Sequence, residues 1–346
     1  MKLVLIREKH TPFGGAENYL QRLINQLTKE EYPFEIIHSP FSAILPSWIR
    51  VILFNLLLCF RKRNKIYFSL ERIVCADIYR AGDGVHKVFL TKASKSKFNP
   101  LHTIYKFVEK KCFLNANIII ANSKMVKQEI IDNYEISESK IEVIYNGIKL
   151  KKNEEHTIDN SQFLIDYEIA KFEATFLFVG NGFDRKGVIE FINIIANLSD
   201  FNIQGIVIGH DKNIEKYIEY SLNLGLEKRL HFLGKRKDVD IFYSISDFVV
   251  LPTKYDPFSN VILEAMQFSN IVITTRQNGA SEIIGNEWIM DSSKDKEIIK
   301  NIKRAISNRK FMNDAKKNNC NIVQNYSIEK NAKKTIDLIK KAYHYE

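Results

Sequence analysis

Residues 174–274 alternate between short apolar runs and amphipathic stretches, and this alternation limits the possible folds more than any other feature of the sequence. Apolar runs predict strands, and apolar residues at a spacing of three or four predict helices. The predicted elements, in order, are strand Ala174–Gly180, helix Val188–Leu198, strand Ile203–Gly209, helix Asn213–Leu224, strand Arg229–Leu233, helix Val239–Ile245, strand Phe248–Leu251, helix Asn260–Phe268 and strand Ile271–Thr274. Four strand–helix units in about 100 residues predict a parallel sheet covered by helices on both faces.

The first part of the chain carries a weaker form of the same pattern. Lys2–Ile6 predicts a short buried strand, Gly14 and Gly15 lie in the loop after it, and Glu17–Thr28 has helical periodicity. Further strands are predicted at Glu35–His38, Lys65–Leu70, Ile118–Ala121 and Ile141–Ile144. The polar run Lys149–Asn160 is typical of a linker. We therefore expect two α/β domains, residues 1–150 and 151–327, and a C-terminal helix at 328–346 that packs back toward the first domain.

Charge and cysteine content narrow the classes of partner. The chain of 346 residues has a formal net charge of +10, which favours an anionic partner such as phosphates, nucleic acid or an acidic membrane surface. Its four cysteines are widely spaced and form no metal-ligand pattern, so we expect reduced thiols, a cytoplasmic location and no metal site. The first residues run directly into a predicted strand, which predicts no secretory leader.

Two segments of the first domain are candidates for contact with a membrane or an acceptor. Ile44–Phe60 is strongly apolar, but it is shorter than the ~20 residues of a spanning helix and contains Arg50, so a buried or interfacial helix is expected. The second segment, Lys92–Lys111, is basic and includes Glu109 as its single acid. Its candidate contact residues are Lys92, Lys95, Lys97, Lys106, Lys110 and Lys111, together with His86 just before it. A solvated basic face is the alternative interpretation.

The loop after the first strand of the second domain carries two adjacent cations. It reads Gly180-Asn181-Gly182-Phe183-Asp184-Arg185-Lys186-Gly187 and lies at the carboxyl end of the strand. Arginine offers a planar fork and lysine a point charge, and the two together suit a diphosphate. A surface turn with exposed basic residues is the alternative.

A second cluster begins at Asp256 and runs into a predicted helix. The backbone N–H groups near Phe258, Ser259, Asn260 and Val261 would face an anion at the helix N-terminus. Glu264 lies one and a half turns into the same helix, within an apolar stretch. An acid is costly to bury there unless it binds hydroxyl groups such as those of a ribose.

Other functions have less support in the sequence. Asp238-Val239-Asp240 imitates a metal-binding acidic motif, but acids at the start of a helix are favoured by its dipole alone. A nicotinamide dehydrogenase lacks support because the first turn has no G-x-G-x-x-G fingerprint. A basic nucleic-acid-binding protein lacks a recognisable reader module, so we expect no nucleic-acid partner. A non-catalytic protein that binds nucleotide sugars stays open.

The order of motifs resembles the family-4 retaining glycosyltransferases of GT-B architecture. The shared features are Gly14-Gly15, Asn146-Gly147-Ile148, the Arg185-Lys186-Gly187 loop, and Asp256 followed after seven residues by Glu264-Ala265-Met266. They span nearly the whole chain. The stretches VGNGFDRKGV and IYRAGDGVHK are especially similar to the glucosyltransferases of the lipopolysaccharide core. The resemblance implies two Rossmann-like domains that face each other across a cleft.

The resemblance also implies roles for residues. Gly14, Gly15 and Gly182 would lie at the donor, Arg185 and Lys186 would neutralise its diphosphate, and Glu264 would bind the ribose. Asp256 stands where the family usually has Glu and would contact the transferred sugar, with backbone donors from Phe258, Ser259, Asn260 and Val261. Asp83 matches the aspartate that the lipopolysaccharide-core branch has in place of a histidine, and it would stabilise the sugar. The shorter Asp256 and the change from Gly to Ser259 are departures that affect which sugar fits.

The expected activity is transfer of a hexose from a UDP-sugar to a saccharide acceptor, such as a lipopolysaccharide core, without a cofactor or metal. The expected location is the inner face of the bacterial cytoplasmic membrane, where the basic and apolar segments would contact an anionic leaflet.

Overall fold

A computed structural model describes residues 2–8, 15–92, 100–151 and 172–343. The chain divides into two compact units: unit 1 is Met1–Asn146 with Ile328–Glu346, and unit 2 is Gly147–Ser327. The boundary lies at Asn146, four residues before the predicted one, and most of the predicted linker lies outside the described residues.

Unit 1 contains a six-stranded parallel sheet in the order β2-β1-β3-β4-β5-β6. The strands are β1 Lys2–Ile6, β2 Phe34–Ile37, β3 Lys65–Ser69, β4 Ile78–Ala81, β5 Ile118–Ala121 and β6 Ile141–Val143. The helices are α1 Gly15–Lys29, α2 Ser47–Arg61, α3 His86–Lys92, α4 Pro100–Asn115, α5 Lys124–Tyr134 and the C-terminal α13 Ile328–Tyr343. The strand order reverses between β1 and β3, so the loops after these two strands diverge and leave room for a ligand.

The C-terminal helix α13 belongs to the core of unit 1. Its Ile336 and Ile339 are fully buried in the same apolar cluster as α1 residues. Tyr19 and Thr335 share a hydrogen bond of 3.2 Å, and Lys340 pairs with Glu30 at 2.8 Å. Helix α13 therefore packs as part of unit 1.

Unit 2 contains a second six-stranded parallel sheet, in the order β12-β11-β10-β7-β8-β9. Its strands are β7 Ala174–Val179, β8 Ile203–Ile208, β9 Leu230–Gly234, β10 Phe248–Leu251, β11 Ile271–Thr275 and β12 Ile289–Met290. Its helices are α6 Phe183–Lys186, α7 Val188–Asn197, α8 Ile214–Asn223, α9 Val239–Ile245, α10 Asn260–Gln267, α11 Lys296–Ser307 and α12 Arg309–Val323. Here the strand order reverses between β7 and β10.

The predicted α/β class is confirmed in both units. The strands β4 and β12 and the helices α3, α4 and α6 were not predicted. The apolar segment Ile44–Phe60 is helical from Ser47 onward, as α2, which buries Val51, Phe54 and Leu58 and exposes Ile52, Leu56 and Phe60. Among the residues that the structure describes, no helix combines the length and apolar character needed to cross a bilayer.

Candidate functional site

The glycine loop of unit 2 turns at the carboxyl end of β7, at the point where the strand order reverses. Gly182 and Gly187 both have positive φ, 72° and 83°. A side chain at Gly187 would place its Cβ 2.0 Å from the Pro252 carbonyl oxygen, so only glycine fits against that strand end. Phe183 anchors the loop: its ring is fully buried against Phe178, and its amide donates to Asp211 at 2.8 Å.

Lys186 and Asp256 form a buried ion pair that joins the two predicted clusters. Lys186 Nζ lies 2.5 Å from Asp256 Oδ2, and each residue is 8% exposed. Arg185 Nη1 lies 3.8 Å from the same oxygen and donates to the Tyr255 carbonyl at 3.0 Å. Residues 70 positions apart in the chain therefore meet because β7 and β10 are neighbours. Two cations around one carboxylate leave a local charge of +1.

Hydrogen bonds from β10 and β11 fix this arrangement. Thr253 donates to the Arg185 carbonyl at 3.0 Å, and Thr275 donates to the Thr253 carbonyl at 2.6 Å. Asn278 is fully buried, and its Oδ1 accepts from the amides of Ser259 at 3.2 Å and Ala280 at 3.1 Å. Sequence reasoning missed Asn278; its Asn-Gly pair after a predicted strand is the signal that marks the turn.

Helix α10 begins beside the ion pair and carries Glu264. Ser259 is the N-cap residue and its amide donates to Asn278, while Phe258 is buried at the same end. Tyr243, on α9, donates its hydroxyl to Glu264 Oε2 at 3.1 Å. Burial, and then the negative charge of Glu264, raise the pKa of Tyr243 well above 10.0, so the hydroxyl stays protonated as a donor. Tyr243 was not predicted as a site residue, because a tyrosine in an amphipathic helix is usually a core residue.

In unit 1, Asp83 lies in the turn after β4, and its side chain is exposed. Arg7 follows β1 and Glu71 follows β3, and these two residues form an ion pair at the same edge of the sheet. Burial raises the pKa of Glu71, an effect that Arg7 opposes and the charge of Asp83 increases. The carboxyl ends of the strands in unit 1 thus carry the acids Glu71 and Asp83 near Arg7.

His86 differs from the surface role predicted for it, because it is 8% exposed. Its Nε2 lies 3.1 Å from His102 Nδ1. Burial, and then the charge of Arg72, lower the pKa of His86 from 6.5 to about 4, so the ring is neutral at physiological pH. His86 is therefore an interior residue and does not belong to the basic surface.

The predicted basic residues Lys92, Lys106, Lys110 and Lys111 are exposed. Glu109, the acid among them, is fully buried and so does not neutralise that surface. An apolar groove of about 510 Å³ lies between α2 and α4, lined in part by Ile52, Leu56, Ile104 and Phe107. The predicted residues Gly14, Lys95 and Lys97 lie outside the described residues, and Gly15 is the first residue of α1.

The acids of the Asp238-Val239-Asp240 motif are both held by cations. Arg236 donates to both carboxylate oxygens of Asp238, at 2.9 and 2.6 Å. Lys151 contacts Asp240 at 2.5 Å. Over the described ranges, no group of three or more histidine, cysteine or acidic side chains has a metal-binding arrangement.

Comparison with known proteins identifies the family. The profile of the family described as "Glycosyl transferases group 1" matches residues 162–321, and that of "Glycosyltransferase Family 4" matches residues 79–152. The glycosyltransferase MJ1607 of Methanocaldococcus jannaschii is 29% identical over 238 residues, which cover 64% of this chain and 59% of that protein. The lipopolysaccharide glucosyltransferase WaaG of Escherichia coli K12 is 24% identical over 305 residues, covering 80% and 81%. The chain spans only 50–61% of three further relatives.

Solved structures share the architecture over nearly the whole chain. The crystal structure of WaaG has a TM-score of 0.76 at 18% identity and covers 97% of this chain and 99% of its own. HepE of Anabaena, crystallised with UDP, has a TM-score of 0.75 at 17% identity, covering 99% and 100%. At these identities the likeness establishes the fold. The two family profiles, matched one after the other along the chain, show that this protein is a glycosyltransferase that belongs to family 4, and the solved structures show that it has the GT-B fold.

Proposed function

We propose that this glycosyltransferase is a retaining, metal-independent enzyme that moves a hexose from a UDP-sugar to a saccharide acceptor. The acceptor would be a lipopolysaccharide or lipooligosaccharide core or another surface glycan. The observation that supports this most is the meeting of Arg185, Lys186 and Asp256 where the strand order of unit 2 reverses. Such a position is the usual ligand site of an open parallel sheet, and its net positive charge favours a diphosphate.

The chemistry follows from where charge develops. When the bond between the anomeric carbon and the diphosphate oxygen breaks, negative charge collects on the diphosphate and positive charge on the sugar. Arg185, Lys186 and the N-terminal end of α10 would stabilise the leaving diphosphate; a single preorganised donor of this kind contributes about 3 kcal/mol in other enzymes. Asp83 would stabilise the positively charged sugar. In this proposal the two cations take the part that a metal ion plays elsewhere.

Glu264 would accept hydrogen bonds from the ribose hydroxyls of the nucleotide. It lies on α10, the helix that begins beside the ion pair, and Tyr243 holds one of its oxygens. WaaG is named for lipopolysaccharide, and the Escherichia coli galactosyltransferase that is 25% identical over 327 residues is named for a UDP-galactose donor and a diphosphoundecaprenol-linked acceptor. These names support a UDP-sugar and a saccharide on a lipid carrier as the substrate classes.

We place the enzyme on the cytoplasmic side of the membrane, in peripheral contact with an anionic leaflet. The exposed side chains of α2, Leu56 and Phe60, and the exposed lysines of α4 support this contact, since each lysine near such a surface contributes about 1 kcal/mol. Sedimentation with vesicles that contain phosphatidylglycerol should decrease as salt increases. Sedimentation that does not depend on salt, or none at all, would refute the membrane contact.

Donor hydrolysis across a panel of UDP-sugars, in EDTA, tests the proposed reaction. We expect one sugar among glucose, galactose and N-acetylated hexoses to be hydrolysed faster than the others, and the Asp83→Asn variant to keep only a small, measurable residual rate while it still binds UDP. Hydrolysis that requires an added divalent cation would rule out metal independence. Full activity of Asp83→Asn would rule out its proposed role.

A further inference from the structure

The turn that carries Asp83 is held at three points by buried or nearly buried side chains that take no part in the proposed transfer. Asn122 Nδ2 donates to the Gly82 carbonyl at 3.0 Å. Arg72 Nη2 donates to the Gly84 carbonyl at 3.1 Å. Glu109 Oε2 accepts from the His86 amide at 2.8 Å. The backbone is thus fixed on both sides of Asp83, whose own side chain is exposed.

Arg72 and Glu109 also bind each other. Arg72 Nε donates to Glu109 Oε2 at 2.7 Å, and Glu109 is completely buried. The other carboxylate oxygen of Glu109 accepts from the Tyr134 hydroxyl at 2.6 Å. The guanidinium therefore uses its fork to connect a carboxylate on α4 with the carbonyl of Gly84, a residue at φ 68°. A lysine donates from one nitrogen, so it does not reproduce two bonds donated from two separate nitrogens of the guanidinium.

We propose that Arg72 and Glu109 are positioning residues for Asp83, which they fix in the orientation required for transfer. This inference rests on the role proposed above for Asp83. Burying an arginine and a glutamate together carries a large desolvation cost, and an apolar pair would stabilise the unit as well or better. A charged pair at the turn after β4 is therefore not explained by stability. It is explained if the reaction depends on the position of the Asp83 carboxylate, since small displacements of catalytic groups slow reactions strongly.

The Arg72→Lys variant tests the inference with the smallest change. It keeps a cation against Glu109 but gives up the bond to the Gly84 carbonyl. We expect kcat for UDP-sugar hydrolysis to fall at least about tenfold, while the affinity for UDP is unchanged because unit 2 binds UDP. The matched control is Tyr134→Phe, which removes a hydrogen bond from Glu109 but leaves the oxygen that binds Arg72 and His86. Its kcat should stay within about twofold of the wild type.

A double-mutant cycle separates positioning from a general structural effect. If Arg72 acts through Asp83, the kcat of Arg72→Lys with Asp83→Asn equals that of Asp83→Asn alone. If the fold-loss of kcat in the double variant equals the product of the two single fold-losses, the inference is overturned. A wild-type kcat in Arg72→Lys would also overturn it. Should Arg72→Lys not fold, Asn122→Ala loosens the same turn at Gly82 and enters the same cycle. A wild-type kcat in Asp83→Asn would refute the proposed function of Asp83 itself, a result that the cycle distinguishes.

Discussion

The ion pair between Lys186 and Asp256 should contribute measurably to the stability of unit 2. At an effective dielectric of about 20, unit charges 2.5 Å apart attract by about 7 kcal/mol, and desolvation offsets most of this. Arg185 at 3.8 Å compensates partly for a lost lysine. We therefore expect Lys186→Met and Asp256→Asn each to lower the free energy of unfolding by about 2–3 kcal/mol. The double variant should lose about 2 kcal/mol less than the sum of the two.

Urea unfolding followed by tryptophan fluorescence measures these energies. The chain has two tryptophans, and the buried Trp288 is the one in unit 2. A Trp48→Phe background therefore makes the fluorescence report on unit 2 alone, which avoids mixing the unfolding of the two units. A coupling energy below about 0.5 kcal/mol would show that the pair is not formed in solution, and it would refute the reasoning from burial.

Three further predictions concern single residues. Tyr243→Phe should weaken UDP binding about fivefold in calorimetric titrations, because Glu264 loses a hydrogen bond worth about 1 kcal/mol. Unchanged affinity would contradict the proposed contact between Glu264 and the ribose. The pKa of His86 is about 4 in the folded state and 6.5 in the unfolded state, so the unfolded chain binds more protons between these values. The contribution of His86 to stability is therefore complete above pH 6.5 and decreases by about 3 kcal/mol as the pH falls toward 4. His86→Asn should flatten this slope in urea titrations, and an equal slope in the variant would contradict the assignment. Gly187→Ala should destabilise unit 2 by more than about 2 kcal/mol in thermal unfolding, whereas Gly182→Ala, with open space around it, should cost about 1 kcal/mol; equal losses would contradict the close contact at Pro252.

The strands and helices that were predicted between residues 174 and 274 of unit 2 have ends correct to within about two residues, whereas α6 and β12 of the same unit were missed. The strand β4 was missed because Arg80 interrupts its apolar run. In the structure Arg80 is 7% exposed, with its guanidinium 3.8 Å from the centroid of the Tyr19 ring and bonded to Asn146 at 2.6 Å. These partners are distant in sequence, so no local pattern shows that an arginine is tolerated there.

The candidate site, like the fold, was predicted from the sequence only in part. The cations at 185 and 186 and the acid at 256 each follow a predicted strand, so their placement at one edge of a sheet was predicted. That they form an ion pair depends on β7 and β10 being neighbours, which spacing along the chain does not reveal. Glu109 was counted as an acid of a basic surface, and its burial against Arg72 arises from tertiary packing alone.

Calorimetric titration of UDP into the wild type, Lys186→Met and Lys254→Ala tests the assigned donor site most directly. Lys254 is the matched control, because it also lies beside the site but is 51% exposed and pairs with Asp184. We predict that the wild type and Lys254→Ala bind UDP alike, and that folded Lys186→Met loses about a hundredfold in affinity, as expected for a charge-assisted contact to phosphate worth about 3 kcal/mol. Equal binding by Lys186→Met, or no binding of UDP by the wild type, would contradict a UDP-sugar site at Lys186.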